Sequence, residues 1–438
     1  MNQNRTPHDA LDALLTDLRA AIDPGGIALD LRQRERASVD GAAMSPVLAE
    51  QLPLGLADVV ITPRTVDEVP LVLSAAVRHG IPVTARGRGT GNYGQGIPLH
   101  GGIVLDTGRL SAVCPAGDGT ITVEAGARIR AIDLAARASG QELVLMPSTV
   151  QSSIGGFLAG GSGGAGTIEF GNTRQGFVVA LDVVHAHEDA RIEHVTGDAV
   201  LPYLHSFGVA GVIVRATVRL RPEVDWHPLY ASFDRLADAA ATFRLLGALT
   251  PPPRLVSADD AEIAAALPRD EAVDPARASL RAVLAPGTVA DARAIVEAHG
   301  GRVEDVRRGY AETMKMSMTA YNHPAWWFLR AHAGEHFHLE VFGDALLEDP
   351  DAVRALFGDA LLHLELGHSV NFGMLMLPYR HPDDVATAIT RLAEAGIGAH
   401  DCHSWMLAGA DARLHAAARH GDPYGLLNPG KLPAPVVA

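Results

Sequence analysis

Cysteine is nearly absent. Cys114 and Cys402 are the only two in 438 residues, too few for a disulfide framework and in keeping with a reducing, cytoplasmic setting. Lysine is equally scarce, with Lys315 and Lys431 alone; arginine carries the rest of the positive charge, which reads as a compositional habit and not as a site. Basic charge as a whole falls short. The formal net charge is −15, and a chain without basic stripes argues against nucleic acid as a partner. No apolar run is both long enough and free enough of glycine to span a bilayer. The opening MNQNRTPHDALDALL lacks the basic region and apolar core of a signal peptide. No low-complexity tract divides the chain, so one compact unit is expected. Hydrophobic residues make up 47%, enough for a large core shared among two or three domains.

What the chain does have is glycine in two concentrated stretches. After a helical pattern over 66–79 and a short strand over 81–85, the run Arg86-Gly87-Arg88-Gly89-Thr90-Gly91-Asn92-Tyr93-Gly94-Gln95 begins. The second run, PSTVQSSIGGFLAGGSGGAGTIEFG, covers 147–171. Glycine permits positive φ and close approach of a ligand to the main chain, and successive amides in such a turn can converge on one anion. One glycine-rich run alone reads as a surface loop. Two in one domain point to a long phosphate-bearing cofactor lying across both.

The rest of the first half alternates strand and helix patterns: Val59–Ile61, a helix ending at Gly80, Gly102–Asp106, Thr120–Glu124, a helix over 129–139, and an apolar strand from Val178. That alternation indicates an α/β arrangement. A helix is also expected from Pro7 to Ile22. Beyond Pro222 the units repeat as strand–helix–strand, with strands expected at His336–Phe342, Ser369–Leu377 and Ile397–Trp405 and a helix at Pro350–His363. These suggest an antiparallel sheet with helices on one face.

TARGRGTGNYGQ, GGIVLDTGRL, ITVEAGARI, PSTVQSSIGGFLAGG, FGNTRQGFVVALDVV and FGVAGVIVRATVRLRP come in order, and DPYGLLNPGKL closes the chain. Together they resemble the vanillyl-alcohol oxidase/p-cresol methylhydroxylase superfamily, nearest its glycolate oxidase and D-lactate dehydrogenase branch. The resemblance covers about 52–222 and the last two dozen residues. It implies an α+β (α/β) fold: a two-lobed FAD-binding domain over 1–224, an α+β cap with an antiparallel sheet over 225–415, and a C-terminal segment, 416–438, returning to the first domain. It implies FAD, held by Arg86, Gly87, Arg88, Gly89, Thr90, Gly91, Asn92, Tyr93 and Gln95 in the first run. Pro147, Ser148, Ser153, Ile154, Gly155, Gly156, Gly160, Ser162 and Gly163 match the second run, Val212 and Ile213 the adenine end, and Asn428 a position near the flavin ring. The partners implied are a small-molecule substrate and an electron acceptor, oxygen or another redox partner; a homodimer stays open.

Two departures from the family matter. Some relatives attach the flavin through a histidine in the first loop and a cysteine in the second. Here Thr90 stands at the first position and 147–171 holds no cysteine, so FAD is expected to be non-covalent, with a link from a cap histidine left open. The segment His332-Ala333-Gly334-Glu335-His336-Phe337-His338 is similar to a histidine-rich metal motif of some relatives, but its spacing is off by one residue, and no metal is assigned.

Alternate residues of a strand share a face, so His336, His338 and Glu340 are expected to line one side, joined by Ser369 and Asn371 and by His400 and Cys402. This reads as a substrate-facing wall. His338 is the expected base, since a neutral imidazole leaves no buried anion. His336, Asn371 and His403 are expected as contacts, Arg330 as the holder of a substrate carboxylate, and Tyr321 as a neighbour. The reaction expected is hydride transfer from a small polar substrate, best a 2-hydroxy acid, to the flavin. The rival readings are an oxidase of a specialised metabolite or of a sugar or alditol, and a flavin-binding scaffold without turnover.

One test follows from Thr90 and the missing cysteine. Acid precipitation is expected to release all yellow colour into the supernatant; flavin retained on the pellet would show a covalent bond.

Overall fold

In the computed structural model, residues 8–407 and 409–434 are described; Pro7, read above as a helix start, and the first seven residues of the stretch read for a leader lie outside them. The helix His8–Ala21 buries Leu14, Leu15 and Leu18 against the helix Glu68–His79. The latter ends at Gly80, whose φ of 64° is the left-handed stop that glycine takes without strain. Both pack on a four-stranded sheet in the order Ile27–Ala28, Val59–Ile61, Ile103–Asp106, Val83–Arg86. The last three strands run parallel. All three residues of Val59–Ile61 are buried, as a parallel strand covered on both faces requires.

A second sheet is antiparallel and is built around the long strand Val212–Pro222. Thr120–Glu124 and Val178–Val184 flank it, Ile192–Thr196 pairs outside the latter, and Gln141–Leu143 joins its far end. Between the two sheets lie the glycine runs. The C-terminal segment returns beside the first sheet: Val83 N donates to Leu426 O and Asn428 N to Val83 O, each at 2.8 Å.

The third sheet has eight strands, all pairs antiparallel, in the order Arg302–Val306, His227–Phe233, Ala278–Leu284, Leu255–Asp259, Leu361–Glu365, Phe372–Pro378, His336–Phe342, Gly398–His400. One face is apolar. Leu229, Leu280, Ala258, Leu364, Leu375, Leu339 and Val341 enter a single core with the helices Leu236–Gly247 and Asp384–Glu394. The period of two puts their neighbours on the opposite face, toward the glycine runs.

Three expectations for this sheet are corrected. Pro350–His363 is not one helix: it stops at Ala355, and Leu361–Glu365 is a central strand. Its alternating leucines pack on both neighbours, and helix propensity alone gave no sign of that. The next strand begins at Phe372 rather than Ser369, and the last is only Gly398–His400.

The inner face carries a row of buried charges. Arg281 and Asp259 are both fully buried and paired. His363 Nδ1 lies 2.7 Å from the second Asp259 oxygen, and its Nε2 3.0 Å from Glu365 Oε1. Glu365 also accepts from Ser257 Oγ at 2.6 Å and from the Tyr321 amide. With a carboxylate on each ring nitrogen, His363 is an imidazolium, its pKa raised to about 9 against the opposing pull of burial. Asp259 is held below the usual range by Arg281 and His363, which outweigh its desolvation.

Buried partners of this kind cost about 3–5 kcal/mol when one is removed. His363→Gln is therefore expected to lower stability by that order. A raised histidine contributes fully below about pH 6.5 and loses its contribution as pH rises through about 9. Denaturant melts are thus expected to weaken on the alkaline side, and His363→Gln to remove that limb.

Candidate active site

Two cavities meet between the sheets. The first, about 250 Å³, is lined by both glycine runs and by Val212 and Ile213. The second, about 730 Å³, lies under the eight-stranded sheet and shares Thr90, Gly91, Gln95, Gly160, Gly161, Gly163 and Phe207 with the first. They form one channel, narrow at the glycines and wide beneath the cap.

Most expected cofactor residues line it. Arg86, Gly87, Arg88, Gly89, Thr90, Gly91, Gln95, Pro147, Ser153, Gly155, Gly156, Gly160 and Gly163 are on the narrow part with Val212 and Ile213. Asn92, Tyr93, Ser148 and Ser162 are on the wide part. Two stand behind the wall. Ile154 is fully buried and its amide donates to Ala127 O at 2.9 Å. Asn428, φ 43°, donates from Nδ2 to Gln95 O at 2.9 Å and to Phe207 O at 2.8 Å, so it shapes the channel without lining it.

The narrow cleft fits a diphosphate cofactor. Ser153 Oγ and Arg86 Nη1 are buried without a hydrogen-bond partner in the protein, and such atoms call for one. A Cβ on Gly87 would run into Ser153 Oγ, and one on Gly156 would sit 3.0 Å from the same atom. Gly89 has φ 62°. Main-chain donors hold a diphosphate without stacking up positive charge, which suits an acidic chain. Asp40 and Lys431 brace the first run: Asp40 Oδ2 accepts from Gly94 N at 2.9 Å and Lys431 Nζ donates to Gly94 O at 2.6 Å. Burial lowers Lys431 to about 7, with Asp40 opposing.

The expected catalytic set divides. Tyr321 lines the wide cavity, its hydroxyl donating to Gly164 O. His338 faces the cavity side but is fully buried behind Tyr93, its Nε2 3.1 Å from Tyr93 Oη. Burial first, then His403, press its pKa well below the usual value. His403 is structural: its Nδ1 meets Ser45 Oγ at 2.5 Å and its Nε2 meets His338 O at 2.7 Å. Asn371 holds a turn, its Oδ1 3.5 Å from Gly367 N. Arg330 is exposed and stacked on Trp326 at 5.1 Å. His336 lies outside the cavity beside His332 and Glu335, with ligand atoms within 4.8 Å of one another.

The register gives the reason. His338 pairs with Met376, Glu340 with Met374 and Phe342 with Phe372, so the middle strand brings methionine and phenylalanine to the inner face. Ser369 and Asn371 belong to the turn before it. Glu340 pairs on its other side with His400. His400 Nδ1 lies 3.6 Å from Glu340 Oε2, and this carboxylate raises the imidazole's pKa. Both line the cavity with Cys402, Asn322 and His205.

Asn322, His205 and Phe207 were not singled out from sequence. Asn322 Nδ2 donates to Tyr93 Oη at 2.7 Å. Positive φ occurs at four described non-glycine residues, His205, Phe207, Tyr321 and Asn428; three line the channel and the fourth shapes it. Strained backbone of this kind gathers at working sites, and no sequence preference announces it in phenylalanine or tyrosine.

The glycine assignments can be checked directly. Gly89→Val places a β-branched residue at positive φ, and Gly156→Val crowds Ser153. Each is expected to lose stoichiometric flavin while keeping the parent circular dichroism. Full flavin content in both variants would overturn the cleft assignment.

Comparison with known proteins agrees with this geometry. Residues 57–194 match a family described as an FAD binding domain. The chain is 32% identical over 192 residues to a D-lactate dehydrogenase of Archaeoglobus fulgidus, covering 41% of this chain and 43% of that one. It is 28% identical over 194 residues to glycolate oxidase subunit GlcD of Bacillus subtilis, covering 42% and 41%. The matched stretch thus spans less than half the length of these relatives. Two solved structures share the fold almost throughout. An alkyldihydroxyacetonephosphate synthase has TM-score 0.74 at 14% identity, covering 96% of this chain and 86% of that one. The 4-ethylphenol oxidase of Gulosibacter chungangensis has TM-score 0.69 at 17% identity, covering 97% of each. Residues 57–194 thus form an FAD binding domain, and the chain as a whole shares the fold of these two solved structures.

Proposed function

We propose that the chain is an FAD-dependent oxidoreductase that takes a hydride from a C–OH or C–N carbon of a small substrate and a proton from the attached oxygen or nitrogen, and passes the electrons to oxygen or another acceptor. The reading rests on one juxtaposition: the glycine-lined cleft opens into a cavity walled by the Glu340–His400 pair and by Tyr93. Bound FAD would supply the hydride acceptor.

The residues of this chain then divide the remaining work. Tyr93 Oη, fixed by Asn322 and His338, bonds the substrate's oxygen or nitrogen. Glu340 takes the proton. His400 Nδ1, 3.6 Å from Glu340 Oε2, orients that carboxylate. His338 cannot easily hold a proton where it is buried, so it acts as a positioning residue for Tyr93. Phe342, Phe372 and Met374 keep water from the reacting carbon. The unpaired Cys114 and Cys402 fit a reduced, cytoplasmic setting. No helix among the described residues is long and apolar enough to cross a membrane.

Two substrate classes come forward. The relatives named for lactate and glycolate support a 2-hydroxy acid. A neutral alcohol, polyol or amine is favoured by the wall itself: the described residues lining the wide cavity include Glu340 and Asp401 but neither arginine nor lysine. Arg330, expected to hold a carboxylate, is turned away.

Anaerobic mixing with each class, followed by flavin bleaching, separates them and separates both from a scaffold without turnover. Glu340→Gln is expected to keep full flavin and to slow reduction by roughly 10²–10⁴-fold, the usual worth of a positioned base. Tyr93→Phe and His338→Ala are expected to raise KM and to be non-additive when combined, since they remove one unit. Reduction at the parent rate in Glu340→Gln would sink the assignment of the base.

A further inference from the structure

On the far side of the cofactor cleft, three histidines and a glutamate gather where the hairpin of Val178–Val184 and Ile192–Thr196 meets the end of the helix Ala412–Gly421. His185 is 3% exposed. Its Nε2 lies 2.9 Å from Tyr203 Oη, while its Nδ1 is buried without a hydrogen-bond partner. Glu193 Oε1 lies 3.6 Å from that Nδ1. This is too long for a hydrogen bond. It is close to the separation of two ligands sharing one cation: donors at 2.0–2.1 Å from a tetrahedral zinc are about 3.4 Å apart.

His420 completes the group, with one ligand atom from each of His185, Glu193 and His420 within 4.8 Å of the others. The rings of His185 and His420 are 5.3 Å apart, and that of His187 lies 5.6 Å from His185. His187 Nε2 is taken by His420 O at 2.7 Å, and Arg191 Nε approaches Glu193 Oε1 at 3.6 Å from an exposed position.

We propose that His185, Glu193 and His420 form a zinc-class divalent metal site, separate from the flavin channel, that clamps the hairpin to the C-terminal helix. The donor set of two imidazoles and one carboxylate is one that zinc accepts. Tyr203 serves as the outer partner that fixes the ring and leaves Nδ1 toward the metal. The ring has little room to turn. A Cβ on Gly211 would lie 3.1 Å from His185 Cδ2, and one on Gly421 2.8 Å from the same atom. His420 is exposed and free to swing the remaining distance. Because Gly211 lines the cofactor cleft, the clamp backs the wall of that cleft without entering it.

The test uses the purified full chain with its flavin. The protein is stripped with EDTA, incubated with zinc chloride, gel-filtered and analysed for metal; cobalt in place of zinc reports geometry by its visible bands. About one zinc per chain, tetrahedral cobalt bands and a higher melting temperature on reloading are expected. Glu193→Gln and His420→Ala change side chains that reach solvent, so they are expected to fold, keep their flavin and lose the metal. His185→Ala is expected to do the same if it folds. His332→Ala, in the other histidine cluster, is expected to retain the zinc. Failure of the parent to hold zinc overturns the proposal. So does zinc that survives Glu193→Gln and His420→Ala, or that is lost in His332→Ala.

Discussion

Glu365 joins the two halves of the molecule. Its one oxygen, Oε1, receives the His363 imidazole, the Ser257 hydroxyl and the Tyr321 amide. Tyr321 is thereby held at φ 56°, an arrangement a tyrosine does not adopt unaided. From there its hydroxyl reaches Gly164 O in the second glycine run. A continuous path of buried polar contacts therefore leads from Arg281 in the middle of the eight-stranded sheet to the main chain beside the cofactor cleft. A buried path of alternating charge is costly to desolvate and costly to break. What it secures here is the position of the sheet's inner face over the channel.

A second seam sets the same distance from the other side. Glu142, fully buried on the strand Gln141–Leu143, accepts from Arg254 at 2.5 Å and from Trp226 Nε1 at 2.8 Å. Arg254 also donates to Leu143 O at 2.8 Å, and its own carbonyl accepts from Gly166 N at 2.7 Å. Both seams grip the second glycine run, at Gly164 and Gly166. The channel is thus narrow where glycine brings main chains together and wide where the cap sheet stands off. A flavin-sized ligand needs both regimes: close amide donors at one end, and room for a second molecule at the other.

The inner face of the sheet also shows how chemistry and packing share one surface. Cross-strand neighbours run from Arg281 and Asp259 through His363 and Met374 to Glu340 and His400. The first members are sealed and ion-paired, and the last open into the cavity. Charge is neutralised where water is absent, and a carboxylate–imidazole pair is left where a substrate can reach it. The methionines between them give a pliable apolar wall.

The glycine runs, the alternation of strands and helices, and the period of two in His336–Phe342 were legible because each is a local pattern with a local cause. Glycine marks main-chain approach, and periodicity marks which face is covered. From these the sequence by itself determined a glycine-lined cleft and the existence of a two-faced antiparallel sheet. It did not determine which residues of the inner face meet the cavity. That depended on register with Phe372–Pro378, on a central strand hidden within 350–363, and on Tyr93 arriving from more than 240 positions away to cover His338. Nor did it signal positive φ at His205, Phe207 and Tyr321, where local preference is overridden by hydrogen bonds and packing from distant segments. Local pattern specifies which elements form; which side chains share a cavity is decided by long-range pairing, and only the tertiary structure holds that information.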